Sequence, residues 1–500
     1  MFTVKDYRSG NKRIIEFAIS CTWWPWLLLS AITAAFRLVN IGQESLWYDE
    51  AFTSMLTRLD WPNMLAGIHG DVHPPAWYVL EWLNVRLFGN SEIALRMPSA
   101  LLSIIAVLLV WRIALLLKFD WQTALLAGVI AALLPGVVYY GQEARMYMLL
   151  SVFVLWAVWA AIREKWIALF IACTGALYTQ NLGVFYVAAI GLAIVVSRFR
   201  TRRNLVQPAV VGIGIILAWF PWLPTVLYQA AAVKQGFWMQ PLTLGGILWP
   251  LPAMMMGIRL SVIFQMHVYA AAVGLTIVSL VVGRRWLLSQ DGSIVLAACL
   301  GTAVLVALVS LLWRAIYLPR AFVPAALLLS LVWAYALRHL SLPNRRVAHI
   351  LFIPAFGVAL ISHYFPAGSA RYPVNAWAAI VRDGWRPADV VYHIAIDTDI
   401  MYQYYLPDKP TFLLPESTDL SQSLTAETKV AVGLKELHFD RLADAGYRRA
   451  WLILSTTPLT SQVELDEITR IKGLYQGHLV KWDGNEYAQE AIYLIDLDTL

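Results

Sequence analysis

Hydrophobic positions along this chain gather into long unbroken runs. Eleven stretches are apolar enough to span a bilayer, at about 17–39, 97–117, 121–140, 146–162, 166–182, 183–197, 207–228, 262–283, 293–313, 320–337 and 347–365. About 20 apolar residues cover the hydrocarbon thickness, so each run predicts a membrane helix. The stretch 240–261, from Gln240-Pro241 to Met254-Met255-Met256, has room for a re-entrant pair. Beyond residue 366 the pattern shortens and alternates. Strands are predicted at 388–394, 411–414, 450–455 and 488–496, and helices at 397–406, 434–446 and 461–472. The fold class is therefore a polytopic α-helical membrane protein of about 11 spans (1–365) followed by a small α/β domain (366–500).

Basic residues orient the spans. Lys5 to Arg13, Lys118, Arg163 with Lys165, Arg198 to Arg203, Arg284 with Arg285, and Arg338 to Arg346 fall on alternate loops. The positive-inside rule makes that side cytoplasmic, with the N-terminus inside and the C-terminal domain extracytoplasmic. The first run reads as a signal anchor, since no small-residue cleavage site follows it. Composition agrees: 59% hydrophobic, 14% charged, mean hydropathy +0.61, which excludes a soluble domain. The net charge of +6 divides unevenly. Residues 366–500 hold 12 Lys+Arg against 19 Asp+Glu, net −7, and residues 1–365 hold 26 against 13, net +13. A basic membrane part with an acidic tail does not imply nucleic acid. Cys21, Cys173 and Cys299 all fall in apolar runs and read as small core residues.

Acids are placed more selectively. Of the 13 before residue 366, seven lie in the first outer loop (40–96): Glu44, Asp49, Glu50, Asp60, Asp71, Glu81 and Glu92. Asp49-Glu50 sits just past the first span, inside Leu46-Trp47-Tyr48-Asp49-Glu50-Ala51-Phe52-Thr53. Ionisable groups beside hydrocarbon are costly and mark working sites, so this pair suggests a carboxylate that handles a hydroxyl at the membrane surface. The plain alternative is a solvated loop or a helix cap. His73-Pro74-Pro75 follows, a stiffened turn that starts a helix, with His73 able to donate to a phosphate or sugar. Trp47, Trp61, Trp77 and Trp82 suit short interfacial helices, and 76–88 reads as one.

The run LWYDEAFT, then DVHPPAWYVLEWLNVRLFGNSEIALRMPSALLS, then YYGQEARMYMLL, resembles the bacterial membrane glycosyltransferases of C-type fold. Within them it is similar to the group of protein O-mannosyltransferases and lipid A aminoarabinose transferases. The likeness covers roughly the first 150 residues. It implies an inverting transferase in the bacterial plasma membrane that moves a sugar from a polyprenyl-phosphate donor to a protein, lipid or glycan acceptor on the outer face. Asp49 is then the base, because a carboxylate within hydrogen-bond reach accepts the hydroxyl proton. Glu50 orients it, raises its pKa as a like charge, or binds acceptor. Arg145 would meet the lipid phosphate, for which a forked guanidinium is suited, unless it pairs with Glu143 on the same helical turn. Arg320, in Tyr317-Leu318-Pro319-Arg320, opens a span at the depth of that phosphate, or snorkels there. Lys234 is a further phosphate candidate, and Arg37 and Arg96 read as structural. No cofactor is required. A divalent ion among Asp49, Glu50 and His73 is conceivable, but their spacing matches no compact metal motif. A transporter or flippase of lipid-linked sugars is the rival reading; it predicts duplicated halves with charges at mid-membrane depth, and no internal repeat is seen.

Overall fold

The computed structural model describes residues 23–235, 242–257, 259–260, 262–365, 373–415, 424–456, 462–475, 477–484 and 489–497. Lys5 to Arg13 and Cys21 lie outside them. The chain divides into two compact units. One comprises residues up to Ile41, Arg96–Pro221 and Gln240–Ala370; the other comprises Gly42–Leu95, Trp222–Met239 and Arg371–Leu500.

The membrane unit is all helix. Among the described residues of the chain, seven helices are long and apolar enough to cross a bilayer, eight if one bent pair is a single span. Shorter apolar helices, among them Trp24–Leu38, Tyr147–Ile162 and Trp166–Thr179, accompany them. The bent pair is Trp121–Leu133 and Pro135–Gly141, which turn by 58° where a single run is predicted. Pro135 is the cause: it has no N–H to donate, and its ring displaces the preceding carbonyl. The break lets Pro135–Gly141 lie against the short helix Pro250–Met256. A Cβ on Gly136 would come within 2.0 Å of the Met254 carbonyl oxygen, so only glycine fits. Pro319–His339 is the most enclosed span, 89% buried, and Cys173 and Cys299 are free and buried.

The second unit joins the polar loop 42–95 to the C-terminal segment. The loop folds into three helices, Tyr48–Arg58, Trp61–His69 and Ala76–Phe88. The C-terminal segment forms a five-stranded sheet in the order β2-β1-β3-β5-β4, with β1 Asp389–His393, β2 Thr411–Leu413, β3 Arg449–Thr456, β4 Gly477–Gly484 and β5 Gln489–Asp496. Strand β1 runs parallel to β2 and β3, while β5 is antiparallel to β3 and β4. Every residue of β1 is buried, as a central strand covered on both faces requires. Tyr392, Leu452, Phe439, Ile471 and Tyr475 lie in its core.

One predicted element comes out differently in this segment, and one strand was not predicted. The helix expected at 434–446 is reduced to a 3-10 turn, Phe439–Arg441. The backbone just before it pairs with β2 instead: Leu413 N–H donates to Lys435 O at 2.8 Å and Leu437 N–H to Leu413 O at 3.1 Å. Tertiary pairing overrides a helical apolar period there. Strand β4 had no sequence signal. It is an edge strand with Leu479, Val480 and Trp482 exposed and an irregularity between Leu479 and Lys481, which breaks the period-two pattern.

Candidate active site

In the loop-and-tail unit, Trp47 holds an extended backbone (φ −91°, ψ 174°) and the helix Tyr48–Arg58 starts directly after it. Asp49 and Glu50 therefore occupy its first turn, where free amide N–H groups favour negative charge. Glu50 is fully buried and Asp49 half-buried. The pair thus divides into one carboxylate that solvent and substrate can reach and one that they cannot. The far end of this helix is held by Ala76–Phe88. Arg86 donates to Thr57 O at 3.0 Å and to Leu59 O at 2.7 Å, and Trp82 Nε1 donates to Leu59 O at 3.1 Å.

Ala76–Phe88 also brings a third carboxyl. Glu81 is fully buried, and Asn84 Nδ2 donates to its Oε2 at 2.9 Å. Burial pushes the Glu81 carboxyl well above the ordinary range; the Asn84 amide opposes this and the neighbouring Glu50 charge adds to it. Asp71 is buried and accepts from Tyr78 Oη at 2.6 Å. His73 is half-buried in the turn that ends at Pro75, the residue preceding the Ala76–Phe88 helix.

The membrane unit carries the cations. Gln142 to Met146 form the turn between Pro135–Gly141 and Tyr147–Ile162. Glu143 and Arg145 are both buried in it; Arg145 N–H donates to Glu143 O at 2.8 Å, and Ser99 Oγ to Arg145 O at 3.2 Å. Arg320 is half-buried, its guanidinium carbon 6.0 Å from the centre of the Tyr147 ring. Tyr140 packs edge-on against Tyr147 at 5.0 Å and lies within electrostatic reach of both Glu143 and Arg320. These residues make one polar, aromatic cluster. Beside it Arg259 sits 4.9 Å from the centre of the Tyr139 ring and donates to His363 O at 3.2 Å, while His363 Nε2 meets Gln142 Oε1 at 2.8 Å. Arg37 donates to Ala132 O and Arg96 to Ile41 O, so both side chains tie backbone segments together.

An apolar cavity of about 410 Å³ lies in the same unit, among Leu251, Met255, Ala272, Ala303, Ala307 and Tyr317. Tyr317 is three residues before Arg320, and nearly all the lining is aliphatic.

The structure thus gathers Asp49, Glu50 and His73 in one unit, and Glu143, Arg145 and Arg320 in the other. Lys234 belongs to the last turn of the helix Leu223–Gln235, and its side chain lies outside the described residues. Among the described residues no group of three or more His, Cys, Asp or Glu is arranged to hold a metal ion. Two residues of the site escaped the sequence reading. Arg259 is a lone cation closing the Met254-Met255-Met256-Gly257 stretch, a signal that was present. Glu81 was counted only as one loop acid, because nothing in a sequence tells a buried carboxyl from a solvated one.

The chain superposes on the crystal structure of ArnT from Cupriavidus metallidurans in the apo state with a TM-score of 0.63, at 14% identity, over 93% of this chain and 97% of that one. ArnT from the same organism bound to undecaprenyl phosphate gives 0.60, at the same identity and coverage. The chain shares the C-type glycosyltransferase fold of these structures. Residues 72–228 of this C-type chain match the dolichyl-phosphate-mannose-protein mannosyltransferase family. The undecaprenyl phosphate-alpha-4-amino-4-deoxy-L-arabinose arabinosyl transferase of Erwinia tasmaniensis is 28% identical over 234 residues, which is 42% of this chain. That match spans 41% of the relative, less than half its length. The C-type fold makes the chain a multi-pass membrane protein, as its apolar helices require.

Proposed function

We propose that this chain is an inverting transferase that moves a sugar from a polyprenyl-phosphate carrier to a hydroxyl of a lipid, glycan or protein acceptor, at the outer face of a bacterial plasma membrane. The reading places the N-terminus inside, keeps about eleven spans in residues 1–365, and puts the acidic domain of residues 366–500 outside. The observation that carries it is the first turn of Tyr48–Arg58, where a half-buried Asp49 stands beside a fully buried Glu50.

The chemistry follows from those residues. Asp49 takes the proton of the acceptor hydroxyl as its oxygen bonds to the anomeric carbon. The bond from that carbon to the phosphate oxygen breaks on the opposite face, and its electron pair leaves with the lipid phosphate. Arg145 and Arg320 receive the growing phosphate charge, with Lys234 as a third cation and Glu143 fixing the guanidinium of Arg145. His73 donates to phosphate or sugar, and Glu50 keeps Asp49 oriented. The aliphatic cavity near Tyr317 takes isoprenoid units of the carrier. No metal ion enters this scheme. Support comes from the relatives: one is named for an undecaprenyl phosphate-linked aminoarabinose, and a structural neighbour was solved with undecaprenyl phosphate. Nothing in those relatives favours a transporter.

The test is transfer in proteoliposomes, with a panel of radiolabelled undecaprenyl-phosphate sugars and membrane extract as acceptor. Wild type should transfer label, and Asp49→Asn should lose about 1,000-fold or more, within the range for a removed general base. Transfer that survives Asp49→Asn in a folded variant sinks the base assignment, and label that crosses the bilayer without new linkage sinks the enzyme.

A further inference from the structure

The loop that carries Asp49 does not hold its shape alone. The chain just before the helix Tyr48–Arg58 is extended, so its backbone groups have no helical partners, and Ser45 and Leu46 are both buried. Their partners come from the C-terminal segment, more than 300 residues away. Leu46 N–H donates to Tyr405 Oη at 2.8 Å. Ser45 Oγ donates to Asn375 Oδ1 at 2.9 Å and accepts from Asn375 N–H at 3.0 Å. The hydroxyl of Tyr405 lies in hydrogen-bond reach of Ser45 as well.

Tyr404, the neighbour of Tyr405 on the last turn of the helix Ile396–Tyr405, reaches the other end of the loop. Its hydroxyl donates to Asn90 O at 2.7 Å, and its ring lies 5.3 Å from the Arg58 guanidinium carbon. One helical turn therefore fastens residue 46 before the Asp49 helix and residue 90 after the helix that carries Glu81. A third fastening lies between them. Thr428 Oγ1 donates to Gly67 O at 3.0 Å, and a Cβ on Gly70 would meet Thr425 Oγ1 at 2.0 Å, so the loop lies flush on the helix Ala426–Ala431.

We propose that Tyr405 and Asn375 are positioning residues for the transfer reaction, fixing the backbone three and four residues ahead of Asp49 so that its carboxylate meets the acceptor hydroxyl. The proposal rests on Asp49 being the base. A general base works only within about 2.6–3.2 Å of its proton. A displacement of about 1 Å costs on the order of 100-fold in rate. The C-terminal domain is then a working part of the active site even though none of its side chains reacts.

Three variants and two readouts test this. Tyr405→Phe keeps the ring and deletes the hydroxyl. Asn375→Ala deletes the acceptor for Ser45, and Asn375→Asp restores it. Hydrogen exchange of peptides spanning residues 43–50 should quicken in Tyr405→Phe and Asn375→Ala. In the proteoliposome assay kcat should fall about 10-fold or more in both, with KM for the polyprenyl-phosphate sugar unchanged and the thermal midpoint close to wild type. Asn375→Asp should recover most of kcat. A merely structural role would lower folded yield and midpoint and leave kcat per folded molecule alone, which overturns the proposal. Unchanged exchange at 43–50 overturns it too, whatever the activity. Loosened exchange with wild-type kcat, in an assay where Asp49→Asn is dead, overturns the positioning while leaving the base assignment standing. A wild type that transfers no sugar from any donor overturns both.

Discussion

In the membrane unit the buried charges among the described residues are Arg37, Arg96, Arg145 and Arg198, with Glu143 the one carboxylate. In the loop-and-tail unit they are Glu50, Asp71, Glu81, Asp389, Asp399, Glu464 and Glu490, with no Lys or Arg among its described buried residues. Burying an ion is costly unless it is paired or used, so the separation by sign is informative. Guanidinium groups are the cheaper cations to bury and fork onto phosphate, which suits the proposed contact with a lipid phosphate. Carboxylates take protons, which suits the proposed base. On the proposed mechanism, departure and attack would draw on regions with different dominant charges.

The comparison breaks first at Arg145. If the membrane unit's cations serve the leaving group, Arg145→Ala lowers kcat on the order of 100-fold, the loss typical of one transition-state donor. Arg145→Lys restores the charge without the fork and should recover only part of that. The readout is single-turnover transfer at saturating donor. A rate within about threefold of wild type for Arg145→Ala would mean that this guanidinium ties the turn together, as Arg37 and Arg96 tie theirs, and carries no charge for the reaction.

Much of this division was legible in the sequence, and the reasons differ by region. The apolar runs are long, so every one of the eleven contains helix, and the likeness to the membrane glycosyltransferases rested on short polar motifs: Asp49-Glu50, His73-Pro74-Pro75, Glu143-Ala144-Arg145. Burial was not legible. The sequence reading assigned Asp49 the base and Glu50 a supporting role without knowing that one is buried and the other not; the helix Tyr48–Arg58 separates them, because neighbours on a helix point about 100° apart and just one faces the packed side. The bend at Pro135 was visible as a residue yet lay inside an otherwise continuous apolar run. The clamp of Tyr405 and Asn375 could not be read at all, since hydrogen bonds across more than 300 residues leave no local pattern.

Within the carboxylate-rich unit, Asp389 and Asp399 sharpen the comparison because one is paired and the other is not. Asp389 takes two bonds from Arg449, at 2.8 Å from Nε and 2.6 Å from Nη2, and one from Trp451 Nε1 at 2.9 Å. It joins the starts of β1 and β3. Removing one partner of such a pair leaves the other charge with no return for its lost water, at about 3 kcal/mol. Asp389→Ala should therefore lower the urea midpoint of the C-terminal domain, followed in the purified full chain by pulse proteolysis within residues 373–497. An unchanged midpoint would reduce the pair to a surface contact.

Asp399 gives the smallest effect and the opposite sign. It is buried, its Oδ1 accepts from Thr411 Oγ1 at 2.7 Å and Gln403 Nε2 at 3.1 Å, and Oδ2 has no partner among the described residues. His393 lies 3.8 Å away, and burial lowers that imidazole to about 3, so it stays neutral and gives no compensating charge. Burial raises the Asp399 carboxyl to about 6, against an unfolded value near 3.9. Between those two pH values the folded chain keeps a proton that the unfolded chain has lost, so this group's contribution to stability falls as pH rises through the window. Above about pH 6 both states are ionised and the whole penalty stands, at most about 3 kcal/mol. Asp399→Asn keeps the oxygen for Thr411 and Gln403 and removes the charge. It should unfold at a higher temperature than wild type at pH 7 and at the same temperature near pH 4. The fall in stability from His393 protonation below pH 6.5 is common to both proteins and cancels in that difference. A variant no more stable than wild type at pH 7 would show that the Asp399 carboxylate is compensated in the folded state.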